Sequence, residues 1–190
     1  MVLIFLQHGK TTLNIPSILK NSGLNNEGKL EVVKVSEILK KYKFDYVFTS
    51  ELKSTKETCE IIKRELNQDF SVISSNKLNE RNYGYLSGHN NKELENIYSK
   101  ENVYKWTKTY YGLPPNGESL HDVKNRCGDY FNENILSLCD KNILFISHND
   151  VLKSLFVHLE LEDKFNIENF VLSSEPIIID IKNKRFNKLY

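Results

Sequence analysis

The chain has 190 residues, with 26 Lys and Arg against 25 Asp and Glu and a net charge of +1. That length buries a substantial core as one domain, and the near-neutral balance excludes general binding to nucleic acid or to an anionic membrane surface. Three cysteines, Cys59, Cys127 and Cys139, have no paired spacing, which suits a reduced, cytoplasmic protein and makes no zinc site; no apolar run is long enough for a membrane span.

The chain opens on Val2–Leu6, an unbroken apolar run of the kind found in a parallel strand buried on both faces. It stops at Gln7-His8-Gly9-Lys10-Thr11, where a strand end in an open α/β sheet meets its ligands. Asn21 to Gly28 reads as a turn-rich loop. Leu30, Val33, Ile38 and Leu39 then recur at helical spacing within Lys29–Tyr42. Asp45–Thr49 is a short strand, and Ser50 is placed to cap a helix over Glu51–Leu66 with Leu52, Cys59 and Ile62 inward. Phe70–Ile73 is the next strand.

From Leu78 to Pro115 the chain is polar and aromatic. Glu93–Tyr110 predicts one or two helices with Ile97, Val103 and Trp106 inward, and Tyr110 and Tyr111 join that core. Ser119 with Asp122 resembles a capping box for a helix over Leu120–Leu138, whose Val123, Cys127, Phe131 and Ile135 lie four apart. A second buried strand, Asn142–Ser147, again ends in a histidine, His148, and a helix with Leu152, Leu155, Phe156 and Leu159 follows. Ile177–Ile181, the turn Lys182-Asn183-Lys184 and a strand from Phe186 predict a hairpin at the sheet edge. The alternation predicts a three-layer α/β/α sandwich: a mostly parallel central sheet, helices on both faces, and a helical excursion over about 81–117 above the site. Residues 1–190 form one domain in this reading.

Two histidines therefore terminate two apolar strands, and if those strands are neighbours the rings converge over one crevice. The blocks LIFLQHGKTTLN, FTSELKSTKETCEII, LNERNYGYLSG, NGESLHDVKNR and ILFISHNDVLKSLFVHLE, in that order, resemble the histidine phosphatase superfamily, which includes the phosphoglycerate mutases. The resemblance implies that His8 takes the phosphoryl group as a phosphohistidine and that His148 holds the transferring oxygens. It further implies that Glu80 protonates the leaving oxygen and that Thr11 and Asn14 line the phosphate end. Gln7, Gly9, Ser54, Tyr83 and Asn149 complete the substrate-binding positions. Neither a metal nor an organic cofactor is needed for this chemistry; the partner expected is a small phosphorylated substrate.

Gln7 and Ser54 stand where the family carries phosphate-gripping arginines, and neither supplies charge. Lys10, Arg81, Lys92, Lys108 and Arg126 are candidate substitutes, with Lys53 and Lys56 favoured because they flank Ser54. Asn149 replaces the glycine that follows the second histidine. Trp106 reaches Gly117 in about a dozen residues, shorter than the insert that the mutases carry before the Gly-Glu-Ser block, and Thr107-Lys108 replaces a pair of arginines. These departures favour a phosphatase, with a catalytically impaired binding or regulatory protein and a mutase as alternatives.

Overall fold

The computed structural model describes residues 2–12, 21–138, 140–162, 175–180 and 185–188. Among these, six strands form one sheet: β1 (Leu3–Gln7), β2 (Tyr46–Ser50), β3 (Ser71–Ser75), β4 (Ile143–Ser147), β5 (Ile177–Asp180) and β6 (Arg185–Lys188), in the order β3-β2-β4-β1-β5-β6. The first four run parallel, while β5 is antiparallel to both β1 and β6. The predicted terminal hairpin is therefore present, although its turn at 182–184 lies outside the described residues.

Side-chain alternation explains why the inner strands read as continuous apolar runs. Leu3, Phe5, Phe48, Ile143 and Phe145 face one side and pack on α5 (Leu120–Asn134) and α6 (Asn149–His158). Ile4, Leu6, Val47, Leu144 and Ile146 face the other and pack on α1 (Asn26–Leu39) and α2 (Lys53–Leu66). Both faces are covered, so both parities must be apolar.

Several elements depart from the expectation. Helix α1 begins at Asn26, inside the predicted loop, because the Asn25 side chain accepts from Gly28 N–H as an N-cap. Its buried stripe is Gly28, Val32, Ser36 and Leu39, whereas Leu30 is 64% exposed. Small residues form half of that stripe, and a reading built on large apolar residues misses them. The excursion is two helices, α3 (Asn91–Tyr98) and α4 (Lys100–Lys108), broken at Ser99 with φ 72°. Leu86, Leu94, Val103 and, as expected, Tyr110 are buried there, whereas Ile97 and Tyr111, also expected inward, are exposed. Helix α5 carries the expected capping box from Ser119 and Asp122, and its four-spaced apolar residues are fully buried. No helix among the described residues is long and apolar enough to cross a membrane.

What this arrangement positions is the carboxyl end of the two central strands. Strands β1 and β4 are parallel neighbours with Gln7 opposite Ser147, so the residues that follow, His8 and His148, emerge side by side. His8 N–H donates to the Ser147 carbonyl at 3.0 Å, continuing the ladder by one bond.

Candidate active site

The His8 and His148 rings stand with centroids 5.0 Å apart, near edge-on. His8 Nδ1 lies 2.7 Å from the carbonyl oxygen of Gly9. A carbonyl only accepts, so Nδ1 bears the proton and Nε2 carries a free lone pair. Burial pushes the His8 pKa below its ordinary 6.5. The ring is thus neutral and nucleophilic near neutrality. Burial, with His8 and then Arg126 adding to it, holds His148 further below that value.

The loop after His8 is held backbone against backbone. Gly9 N–H donates to Thr58 Oγ1, which donates to the Ser54 carbonyl in the first turn of α2. A Cβ on Gly9 would meet the Gly28 oxygen at 2.6 Å and Val32 Cγ2 at 2.8 Å, so only glycine allows this approach. Beyond it, Thr11 bridges Leu24, and its carbonyl accepts from Asn25 Nδ2. Gln7 is half-buried at the end of β1, and Ser54 is buried at the start of α2. Asn14 lies outside the described residues.

Glu80 is carried by a loop pinned to β4. Ser147 Oγ donates to the Leu78 carbonyl at 3.3 Å, and the Arg126 guanidinium donates to the carbonyls of Lys77, Asn79 and Glu80. Arg126 also grips both carboxylate oxygens of Glu118, at 2.7 and 3.0 Å, while Glu118 accepts from Asn82 N–H. The Asn-Glu-Arg and Gly-Glu-Ser blocks thus form one clamp. Within it Glu80 is half-buried, and burial together with the Asp150 charge pushes its pKa up to about 8. It holds a proton at neutral pH.

Asp150, two residues after His148, is a part of this rim that sequence reasoning missed. Tyr83 donates to its Oδ2 at 2.6 Å, and Asn149 donates to its Oδ1 at 3.2 Å. The fully buried Arg81 lies beneath, with Nη1 3.7 Å from Oδ2 and the guanidinium 4.7 Å from the Tyr83 ring centroid. Burial, then Asp150, then Glu80 hold the Tyr83 phenol well above its ordinary pKa, so it remains a donor. The only available sequence signal was the place of Asp150 in the first turn after the histidine.

The candidate replacement cations are mostly engaged elsewhere. Lys53 pairs with Glu57 on the surface, and Lys56 is exposed. Lys10 pairs with Glu27 and Glu31. Arg81 donates to the carbonyls of Glu118, Trp106 and Gly112. Lys92 and Lys108 are exposed. Lys153 is half-buried; desolvation lowers its pKa, and Asp150 opposes that shift. His89, His121 and His158 lie away from the crevice: His89 pairs with Glu93, His121 packs on Tyr110 and Tyr111, and His158 contacts Asn132.

A family model described as the histidine phosphatase superfamily (branch 1) matches residues 3–185. A 2,3-bisphosphoglycerate-dependent phosphoglycerate mutase of Bartonella henselae is 33% identical over 185 residues, spanning 93% of this chain and 90% of its own. Among solved structures, a putative alpha-ribazole-5'-P phosphatase from Escherichia coli superposes with a TM-score of 0.83 at 24% identity, covering 99% of this chain and 94% of that one. A mycobacterial glucosyl-3-phosphoglycerate phosphatase superposes at 0.81 with 18% identity, covering 98% and 96%. At these identities the superpositions speak to the fold.

Proposed function

The chain belongs to the histidine phosphatase superfamily, and on that premise we propose that it hydrolyses small phosphomonoesters through a phosphohistidine at His8. His8 Nε2 attacks phosphorus as the bond to the ester oxygen breaks, and Glu80 gives its proton to that departing oxygen. Water then attacks the phosphohistidine, Glu80 takes a proton from it, and His8 is released with inorganic phosphate. Splitting the transfer into two steps makes each easier, and Glu80 serves as acid in one and base in the other.

The observation that carries this reading is geometric: His8 and His148 stand side by side at the carboxyl ends of β1 and β4, with ring centroids 5.0 Å apart, and the Gly9 carbonyl holds His8 Nδ1 so that Nε2 is bare. Burial, which lowers the His8 pKa and raises that of Glu80, supports the two roles. The equatorial phosphoryl oxygens need donors. In this reading His148 supplies one. The first turn of α6 adds backbone amides, since its N-cap residue, His148, makes no side-chain cap bond. Gln7 and Ser54 lower the charge available, and Asp150 adds a negative one.

That balance favours a substrate with a single phosphoryl group over the multiply anionic bisphosphoglycerate of a mutase. The mutase reading is supported by the Bartonella relative. The impaired reading, a phosphate-binding or regulatory protein, is supported by Gln7 and Ser54 in place of arginines. One experiment separates all three: incubation with labelled phosphoesters, followed by analysis for acid-labile protein-bound phosphate and for released phosphate. The phosphatase reading expects label and release in the wild type, and a fall on the order of 10⁴-fold or more in His8→Ala. Label moving between the hydroxyls of a phosphoglycerate faster than it is released would establish the mutase. Neither label nor release above the His8→Ala background would leave the binding protein.

A further inference from the structure

The His148 ring has a hydroxyl partner that the chemistry above does not use. Ser50, the last residue of β2, places Oγ 2.7 Å from His148 Nε2, and Thr55 Oγ1 lies 2.7 Å from the same Oγ. Leu52 N–H donates to Ser50 Oγ at 3.1 Å. Ser50 and Thr55 are both fully buried. Ser50 was expected to cap α2, but the residue at the cap position is Leu52, which makes no side-chain cap bond.

A serine hydroxyl gives one hydrogen bond and accepts two. Leu52 occupies one accepting position, so Ser50 donates to one of its two other neighbours and accepts from the second. Two arrangements satisfy this. In the first, Thr55 donates to Ser50 and Ser50 donates to His148 Nε2, so a neutral ring carries its proton on Nδ1. In the second, His148 Nε2–H donates to Ser50 and Ser50 donates to Thr55. The Thr55 hydroxyl then turns to the Leu52 carbonyl at 2.9 Å, and Nδ1 is bare. Both keep the three side chains paired, and they differ only in hydroxyl rotations and in which ring nitrogen is protonated.

A phosphoryl oxygen is an anionic acceptor. The second arrangement would present it with a lone pair unless the ring were cationic, and burial disfavours the cation. We propose that Ser50, backed by Thr55, is a positioning residue that donates to Nε2 and so makes His148 an N–H donor toward the bound phosphoryl group. This rests on the reading that His148 holds that group.

Nitrogen-15 NMR of the histidine rings tests it, because bare and protonated ring nitrogens resonate far apart; His148 is assigned by the signal lost in His148→Gln. Saturated with inorganic phosphate, the wild type is expected to show Nδ1 protonated and Nε2 bare. Thr55→Val leaves Nε2 as the remaining side-chain acceptor for Ser50, so this variant is expected to favour the same tautomer even without phosphate. Ser50→Ala is expected to lose that bias and bind phosphate about tenfold more weakly, and Ser50→Thr to recover both. A neutral, Nε2-protonated ring in the phosphate-saturated wild type overturns the proposal. So does a Thr55→Val ring unchanged or shifted the other way. If phosphate leaves both His8 and His148 signals unmoved, the phosphatase reading fails. The Thr55→Val and Ser50→Ala spectra of the free protein then still decide whether Ser50 sets the tautomer.

Discussion

Glu80 sets the pH range in which the proposed chemistry runs. The active form has His8 neutral and Glu80 protonated. His8 titrates below its ordinary 6.5 and Glu80 at about 8, so kcat/KM on an alkyl phosphate is expected to stay level from below pH 6.5 to about 8 and fall above it. Glu80→Gln cannot pass a proton to the leaving oxygen. Its kcat/KM on an alkyl ester, which reports the leaving step and not the later attack of water, should fall by roughly 10²–10⁴, and the alkaline limb should vanish. On p-nitrophenyl phosphate, whose phenolate leaves without help, the loss should be far smaller; equal losses on both esters would remove Glu80 from the acid role. Asp150 contributes to the raised Glu80 pKa after burial itself. Asp150→Asn is therefore expected to move the alkaline limb to lower pH. A limb that stays near 8 would assign the shift to burial alone.

At the scale of elements, the Arg126–Glu118 clamp holds the loop that carries Glu80, since it joins the N-terminal half of α5 to the loop after β3. Arg126→Met keeps the aliphatic stem but strands the Glu118 carboxylate and three carbonyls. The expected cost is about 2–4 kcal/mol in denaturant unfolding, with kcat falling further than stability explains. A double-mutant cycle with Glu118→Gln checks the coupling: additive effects would mean that the two blocks are held independently. The sandwich, the neighbouring histidine strands and the capping box at Ser119 were legible because each is written in a short local pattern: apolar runs, strand-end histidines, Ser-x-x-Asp. The face of α1 was not, because it packs through Gly28 and Ser36 rather than Leu30. The role of Ser50 was hidden as well, since its partner His148 is 98 residues away and a serine before a helix reads first as a cap. Asp150 gave no signal beyond its position, and its meaning depends on Tyr83 and Arg81 arriving from the excursion.

Across the whole molecule, a site that buries neutral histidines and a protonated carboxyl makes stability depend on pH from both sides. The His8 and His148 pKa values are depressed in the folded state, so their contribution is present above about 6.5 and lost as pH falls through the lower folded values. Glu80 behaves in the opposite sense. Its folded pKa of about 8 lies above the ordinary 4.5, so the folded state binds a proton that the unfolded chain has already released across that interval. Stability is therefore lost as pH rises from the ordinary carboxyl value toward 8, and above 8 an anion must sit in the clamp beside Asp150. Glu80→Gln removes that ionisation while keeping shape and a hydrogen-bonding end group. It is expected to melt higher than the wild type at pH 8–9 by roughly 2–4 °C, corresponding to about 1 kcal/mol for a domain of this size. The difference should close toward pH 4, below the ordinary carboxyl value, where the unfolded chain holds the proton as well. Thermal melts of the two proteins across that range decide it. Parallel curves would mean that Glu80 is solvated in the folded state, and the acid role assigned to it would lose its physical basis.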